Sequence, residues 1–211
     1  MRTLCAVILS LVAPLASAQQ LPSGFLPVPI FRQATDYSCG AASLLAILYY
    51  WRVDQDTMET ELYRPLGVSR RDGSEPSGIL RTARAYGLQA QYFRDGEYSF
   101  DRLRGAVARG DTVIVSYQAW LMNPGVNADW AHAWDDGHYS VVVAIDDNFI
   151  YLMDPSAGIG YGYIPINEFL TRWHDVEKNR RGQWRRHQRM AIEISGSSPT
   201  LTIPAPLIRV L

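Results

Sequence analysis

The sequence predicts an α+β fold, and three observations predict it. A polar, turn-prone segment, Gln33–Ser38, gives way at Cys39 to an apolar run that continues to Trp51. Up to Gly110 the apolar residues recur every three or four positions, the period of helices. Beyond Gly110 come short runs of β-branched and aromatic residues with short polar turns between them, the pattern of antiparallel strands. Helices first and antiparallel strands second is the order of an α+β domain.

The elements follow in chain order. Val28 and Ile30 flank Pro29, which suits a short edge strand. Cys39–Trp51 has no proline and is apolar nearly all round, so it reads as a buried helix. Asp36 and Ser38 are residue types that cap a helix start. Thr57–Leu62 predicts a second helix ended by Pro65-Leu66-Gly67, and Asp72–Glu75 a loop. Pro76-Ser77-Gly78 opens a helix with Ile79, Leu80, Ala83 and Tyr86 on one face and Gly87 as its C-cap. Leu88–Phe93 reads as a strand, Ser99–Arg109 as a helix closed by Gly110, and Thr112–Tyr117 as a strand. Trp120–Gly137 is a loop, long for a connection between two strands, and loops of that length often act as lids. Tyr139–Ile145 and Phe149–Met153 are strands joined by the turn Asp146–Asn148. Gly160–Ile164 is a further strand, Ile166–Trp173 a helix capped by Asn167, and Gln188–Ile194 the last strand.

The composition, 47% hydrophobic and 19% charged, provides for one core of ordinary kind. A net charge of −1 creates no overall field for nucleic acid or a membrane surface. Residues 1–18 read as a signal peptide: Arg2, an apolar run from Leu4 to Leu15, then Ala16-Ser17-Ala18 as a cleavage pattern. Export to the periplasm or the exterior is the expectation, with no membrane association after its removal. Residues 19–27 form a linker, 28–195 one domain and 196–211 a loose, proline-bearing tail.

Of the two cysteines, the leader takes Cys5, which leaves Cys39 with no disulfide partner in the mature chain. An exported protein usually places its cysteines in disulfides. A lone thiol is buried and inert, paired between molecules, or reactive by design. Position favours reactivity: free N–H groups and the helix dipole stabilise a thiolate in the first helical turn. Gln33, six residues upstream, supplies a side-chain amide suited to an oxyanion hole.

Of the four histidines, His138 alone abuts a strong strand, and Asp154 mirrors it across the hairpin. With a three-residue turn, Asp154 falls opposite Ser140, about 7 Å along the strand from His138 and on the same face. A carboxylate on one imidazole nitrogen fixes the tautomer and leaves the other nitrogen for the cysteine.

These residues resemble the double-glycine, bacteriocin-processing cysteine peptidases, a papain-like family. The match runs from Gln33…Cys39-Gly40-Ala41-Ala42, through Gly73-Ser74…Ser77-Gly78-Ile79-Leu80, to His138-Tyr139-Ser140-Val141-Val142 and Asp154-Pro155. The resemblance implies a papain-like fold with the cysteine helix packed on the sheet that carries His138 and Asp154. It also implies Cys39 as nucleophile, His138 as base, Asp154 as its orienting partner, Gln33 in the oxyanion hole, and a peptide or protein substrate cut after small residues such as Gly-Gly. Ser38 stands where the family commonly has an acidic residue.

No cofactor is required by this chemistry. His132 with Asp129, Asp135 and Asp136 lacks the spacing of a metal site. Lys178–Arg189, with Arg180, Arg181, Arg185, Arg186 and Trp184, reads as a solvated basic loop; Trp120, Trp130 and Trp134 face substrate or pack their own loop. Three functions share the motif set: hydrolysis of a peptide, transfer of the acyl group to an amine, and peptide binding without catalysis.

Overall fold

The computed structural model describes residues 21–120, 129–178, 183–199 and 207–209. The leader-like residues 1–18, residues 19–20, the 121–128 stretch of the long loop, 179–182 of the basic run, and 200–206 and 210–211 of the tail lie outside them. Four helices and one strand come first: α1 (Cys39–Tyr50), α2 (Glu59–Leu66), α3 (Pro76–Ala85), β1 (Gln89–Phe93) and α4 (Phe100–Ala108). Strands then dominate: β2 (Thr112–Gln118), β3 (Gly137–Ile145), β4 (Phe149–Met153) and β5 (Tyr161–Pro165). After α5 (Ile166–Arg172) come β6 (His174–Lys178), β7 (Trp184–Gln188), β8 (Ala191–Ser195) and β9 (Leu207–Arg209). One sheet runs β1-β8-β2-β3-β4-β5-β9, antiparallel except for β5–β9, and β6–β7 form a separate ribbon.

α1 is buried at every residue but Tyr49. It packs on β3, where the Ser43 hydroxyl donates to Tyr139 O at 3.3 Å. Strand β2 is buried along its whole length, so both faces of the sheet are covered there. Helix α3 ends in a Schellman turn: Gly87 N bonds Arg84 O and Leu88 N bonds Ala83 O, with Gly87 at φ +83°. Gly78 fits for a different reason. A Cβ there would stand 2.7 Å from the Leu66 carbonyl carbon, in backbone that closes α2. Gly78→Ala is expected to destabilise the fold by about 1–3 kcal/mol, the range for overpacking, read as a fall in the urea midpoint.

Several expectations need correction. Residues 28–30 form no strand, because Pro27 and Pro29 carry no N–H; Leu26 N alone reaches the sheet, at Val143 O. The packed domain also begins before residue 28, since Leu26 is buried and Phe25 meets Tyr161 edge-on. Helix α2 runs through Pro65 to a left-handed Gly67. Ser38 does not cap α1: its hydroxyl is bonded to Thr35 O and N instead. Asn167 lies inside α5, with Pro165 at the cap position. The described part of the basic run is strand, not loop: Trp184–Gln188 pairs with His174–Lys178, and Arg180 and Arg181 lie outside the described residues. The tail carries β9, held by parallel pairing to β5.

Candidate functional site

Cys39 opens α1 and is only 8% exposed, at the wall of a cleft of about 340 Å³ that Tyr37, Gly73, Ser74, Gly137 and Tyr139 also line. The turn before it is tightly held. Ser38 N bonds Thr35 O, and the buried Glu59 carboxylate accepts from Ala34 N at 2.9 Å and from the Tyr63 hydroxyl at 2.9 Å. Because no side chain caps α1, its first-turn N–H groups stay available to an anion. Gln33 lies in the same turn. Its Nε2 donates to Thr35 O at 2.7 Å, and its backbone N bonds Pro155 O at 3.0 Å, which ties this segment to the Asp154-Pro155 turn. One N–H of the Gln33 amide remains beyond that bond.

His138 and Asp154 meet at the open end of the β3–β4 hairpin. Their register is the one the mirror placement predicts, with Val141 opposite Met153 and Val142 opposite Leu152. It is reached by compensation. Nearer the turn Ile145 faces Ile150, and a bulge at Val143 restores the alignment. The Val143 carbonyl accepts from Leu26 N. His138 Nε2 lies 2.8 Å from Asp154 Oδ1, and both side chains are 1% exposed. Asp154 also accepts from Ser156 N (2.8 Å), Ser156 Oγ (2.7 Å) and the Tyr117 hydroxyl (3.2 Å). Cys39 is the other side chain that acts on His138, in the same direction as Asp154. With Nε2 on Asp154, Nδ1 is the nitrogen left for it.

Burial pushes the His138 imidazole down, but the Asp154 carboxylate and then Cys39 outweigh it and hold it up to about 10. Burial pushes Asp154 up; the His138 charge and the Ser156 donors outweigh that and hold it well below the usual carboxylate range. The arrangement is therefore an imidazolium–carboxylate pair at neutral pH. It can lend a proton at Nδ1 and take it back without moving.

Trp120 covers the pair, its ring 4.8 Å from that of His138. It is 42% exposed, so it shields the pair from solvent rather than filling a core. Trp120→Ala is expected to slow turnover roughly tenfold, the scale of an aromatic contact on a desolvated cation, with little change in melting temperature. Trp134 and Gly137, at the far end of the long loop, line the cleft. Trp130 is buried beneath the Arg172 guanidinium at 4.1 Å and packs the loop.

His132 is brought to none of these groups; it sits at the surface with Asp129, 2.9 Å away. Among the described residues no cluster of three His, Cys, Asp or Glu side chains could hold a metal ion. Sequence reasoning missed Tyr117, Ser156 and Glu59. The Ser156 donor follows Asp154-Pro155 at the offset of an Asx turn, a local signal that was available. Tyr117 and Glu59 reach their partners across the fold, and nothing local marks them.

A cysteine in the first turn of a buried helix, packed on an antiparallel sheet that presents a histidine–aspartate pair, defines a cysteine peptidase of papain-like architecture. Residues 25–180 match the Peptidase_C39 like family, and the chain belongs to that family. Solved structures share the fold. A double glycine motif protease from an AMS/PCAT transporter, solved with its leader peptide, is 23% identical with a TM-score of 0.54, covering 83% of this chain and 96% of that one. A C39-like peptidase from Bacillus anthracis is 18% identical with a TM-score of 0.55, covering 82% and 98%. The peptidase domain of Streptococcus ComA, a bi-functional ABC transporter of a quorum-sensing pathway, is 15% identical with a TM-score of 0.51, covering 81% and 99%. No curated protein sequence matches the chain.

Proposed function

We propose that the chain is an exported endopeptidase that hydrolyses a peptide or protein through Cys39, His138 and Asp154. The observation that carries this reading is His138, bonded to the buried Asp154 carboxylate and held up by Cys39, which itself lies at the cleft wall. Export rests on the leader-like residues 1–18.

The Cys39 sulfur attacks the scissile carbonyl carbon, and the carbonyl oxygen takes the negative charge. The uncapped N–H groups of α1 and the free N–H of Gln33 bind that oxyanion. The His138 Nδ1 proton passes to the leaving amine as the C–N bond breaks, which leaves a thioester on Cys39. Nδ1 then takes a proton from water; the hydroxyl adds to the thioester carbon, the C–S bond breaks to return the thiolate, and the acid departs. Asp154 keeps the ring in one tautomer and orientation throughout and remains ionised.

Gln33→Ala is expected to lower kcat roughly a hundredfold, the scale of one oxyanion donor, with KM nearly unchanged. The assay is cleavage of a peptide library made by digesting a proteome, followed by mass spectrometry. The double-glycine protease with its leader peptide makes peptides bearing Gly-Gly the first to try. If no peptide is cut while iodoacetamide still modifies Cys39, the peptidase reading fails.

A further inference from the structure

The cleft beside Cys39 has a second wall that this chemistry leaves unused. The ribbon β6–β7 brings Asp175, Val176 and Glu177 into it. Asp175 is buried and accepts from the Ser116 hydroxyl, from Gln118 Nε2 at 3.3 Å and from Val176 N at 2.7 Å. Glu177 accepts from the Tyr139 hydroxyl. Buried carboxylates are ordinarily matched with a cation. Here the bonded partners are neutral donors, and among the described residues no lysine or arginine forms an ion pair with either group. His187 is the nearest basic side chain, with Nε2 3.6 Å from Glu177 Oε2, and its Nδ1 is directed to Asp95. Burial, and for Glu177 the additional charge of Asp175, holds these acids up to about 6 and about 8. On the facing wall Arg71 is bonded to Asp72 at 3.0 Å, and the Arg70 side chain is exposed.

Two other features belong to the same space. A Cβ at Gly137 would stand 2.5 Å from Asp175 Cγ, so only glycine lets that carboxylate lie in the wall next to His138. Ser74 is 3% exposed and lines the cleft, and its hydroxyl has no hydrogen-bond partner among the described residues. It packs on the residue after the nucleophile: a Cβ on Gly40 would stand 2.7 Å from Ser74 Oγ. A buried hydroxyl left unbonded beside a nucleophile is satisfied when a peptide main chain enters.

Resting on the peptidase reading, we propose that Asp175 and Glu177 form a subsite for a lysine or arginine side chain of the peptide that is cut, while the Ser74 hydroxyl bonds its main chain. The alkyl stem lies along Tyr139 and Val176, and the cationic head meets the two carboxyl groups and draws their protons off. Specificity thus comes from a positive charge delivered to Asp175 and Glu177, since Arg71 on the facing wall is bonded to Asp72.

The test uses the same proteome-derived peptides with the wild-type protein and with Asp175→Asn, Glu177→Gln and Glu177→Arg variants. Lysine and arginine are expected at one fixed position relative to the cleaved bond. That enrichment falls in the two neutral variants and turns toward Asp and Glu in Glu177→Arg. For a single good peptide, lysine→norleucine at that position raises KM about tenfold or more, as expected for a charge pair in a desolvated pocket, with kcat changed far less. This comparison needs only wild-type protein, so it stands even where a variant fails to fold. Cleavage with no basic preference, or a preference that the neutral variants keep, overturns the subsite and leaves the peptidase intact. No cleavage of any peptide removes the peptidase reading and the subsite with it.

Discussion

Cys39→Ala is expected to abolish peptide hydrolysis, by roughly 10⁴-fold or more, the scale of removing one member of a nucleophilic triad. The one other cysteine of the sequence, Cys5, lies in the leader-like residues 1–18. The fold should survive. Alanine is the best helix former, and the position is the first residue of α1, where no side-chain cap is lost. The thiol is small and at the cleft wall, so its removal opens little buried volume. Circular dichroism and thermal melting close to wild type, with hydrolysis gone, is the expected pair of results. Hydrolysis retained in Cys39→Ala would place the nucleophile elsewhere.

Asp154→Asn is expected to cost nearly as much, roughly 10³–10⁴-fold in kcat, by loss of the tautomer that presents Nδ1 to Cys39. It should also lower stability. Asp154 accepts four hydrogen bonds and faces a charged ring, and an amide oxygen cannot accept them all without turning an N–H toward a donor. The sign of the pH dependence follows from the two shifts. Asp154 is held below its ordinary 3.8, so its contribution is present above that value and is lost as pH falls through the native value. His138 is raised from 6.5 to about 10, so its contribution is fully present below 6.5 and is lost as pH rises through about 10. Both are complete between roughly pH 4 and 6.5. The gap in melting temperature between wild type and Asp154→Asn should be widest there and narrow toward pH 10. A constant gap from pH 5 to 10 would mean that the pair is not charged in the native protein.

The site was legible where local chemistry marks it. The polar-to-apolar switch at Cys39 places the start of α1, and the mirror positions of His138 and Asp154 about a short turn place them at one end of one hairpin. That register prediction assumed a regular three-residue turn, whereas the chain uses a wider turn and a bulge that offset each other. Bulges of this kind depend on what docks against the strand, here Leu26, and leave no mark in the strand's own residues. The β6–β7 ribbon was missed because its residues are charged: His174, Asp175, Glu177, Arg185 and Arg186 have the composition of a solvated loop. Burial of Asp175 and partial burial of Glu177 against β2 and β3 is a tertiary event, overriding a local preference for solvent. The capping prediction at Ser38 failed because its hydroxyl turns back to Thr35 N and O. A hydroxyl spent on the N–H groups of α1 would occupy donors that the proposed oxyanion needs.

The most direct test of the account is the titration of His138 by ¹⁵N NMR of its imidazole nitrogens. Spectra are taken from pH 5 to 11 in the wild type, in Cys39→Ala and in Asp154→Asn. In the wild type both ring nitrogens should stay protonated through neutral pH, with the transition near 10. Removing the Cys39 sulfur should lower the transition. Removing the Asp154 charge should lower it further, because burial then acts on the imidazolium without a carboxylate to oppose it. A transition near the ordinary 6.5 in all three proteins would contradict the account, since Cys39, His138 and Asp154 would then not act as one charged unit.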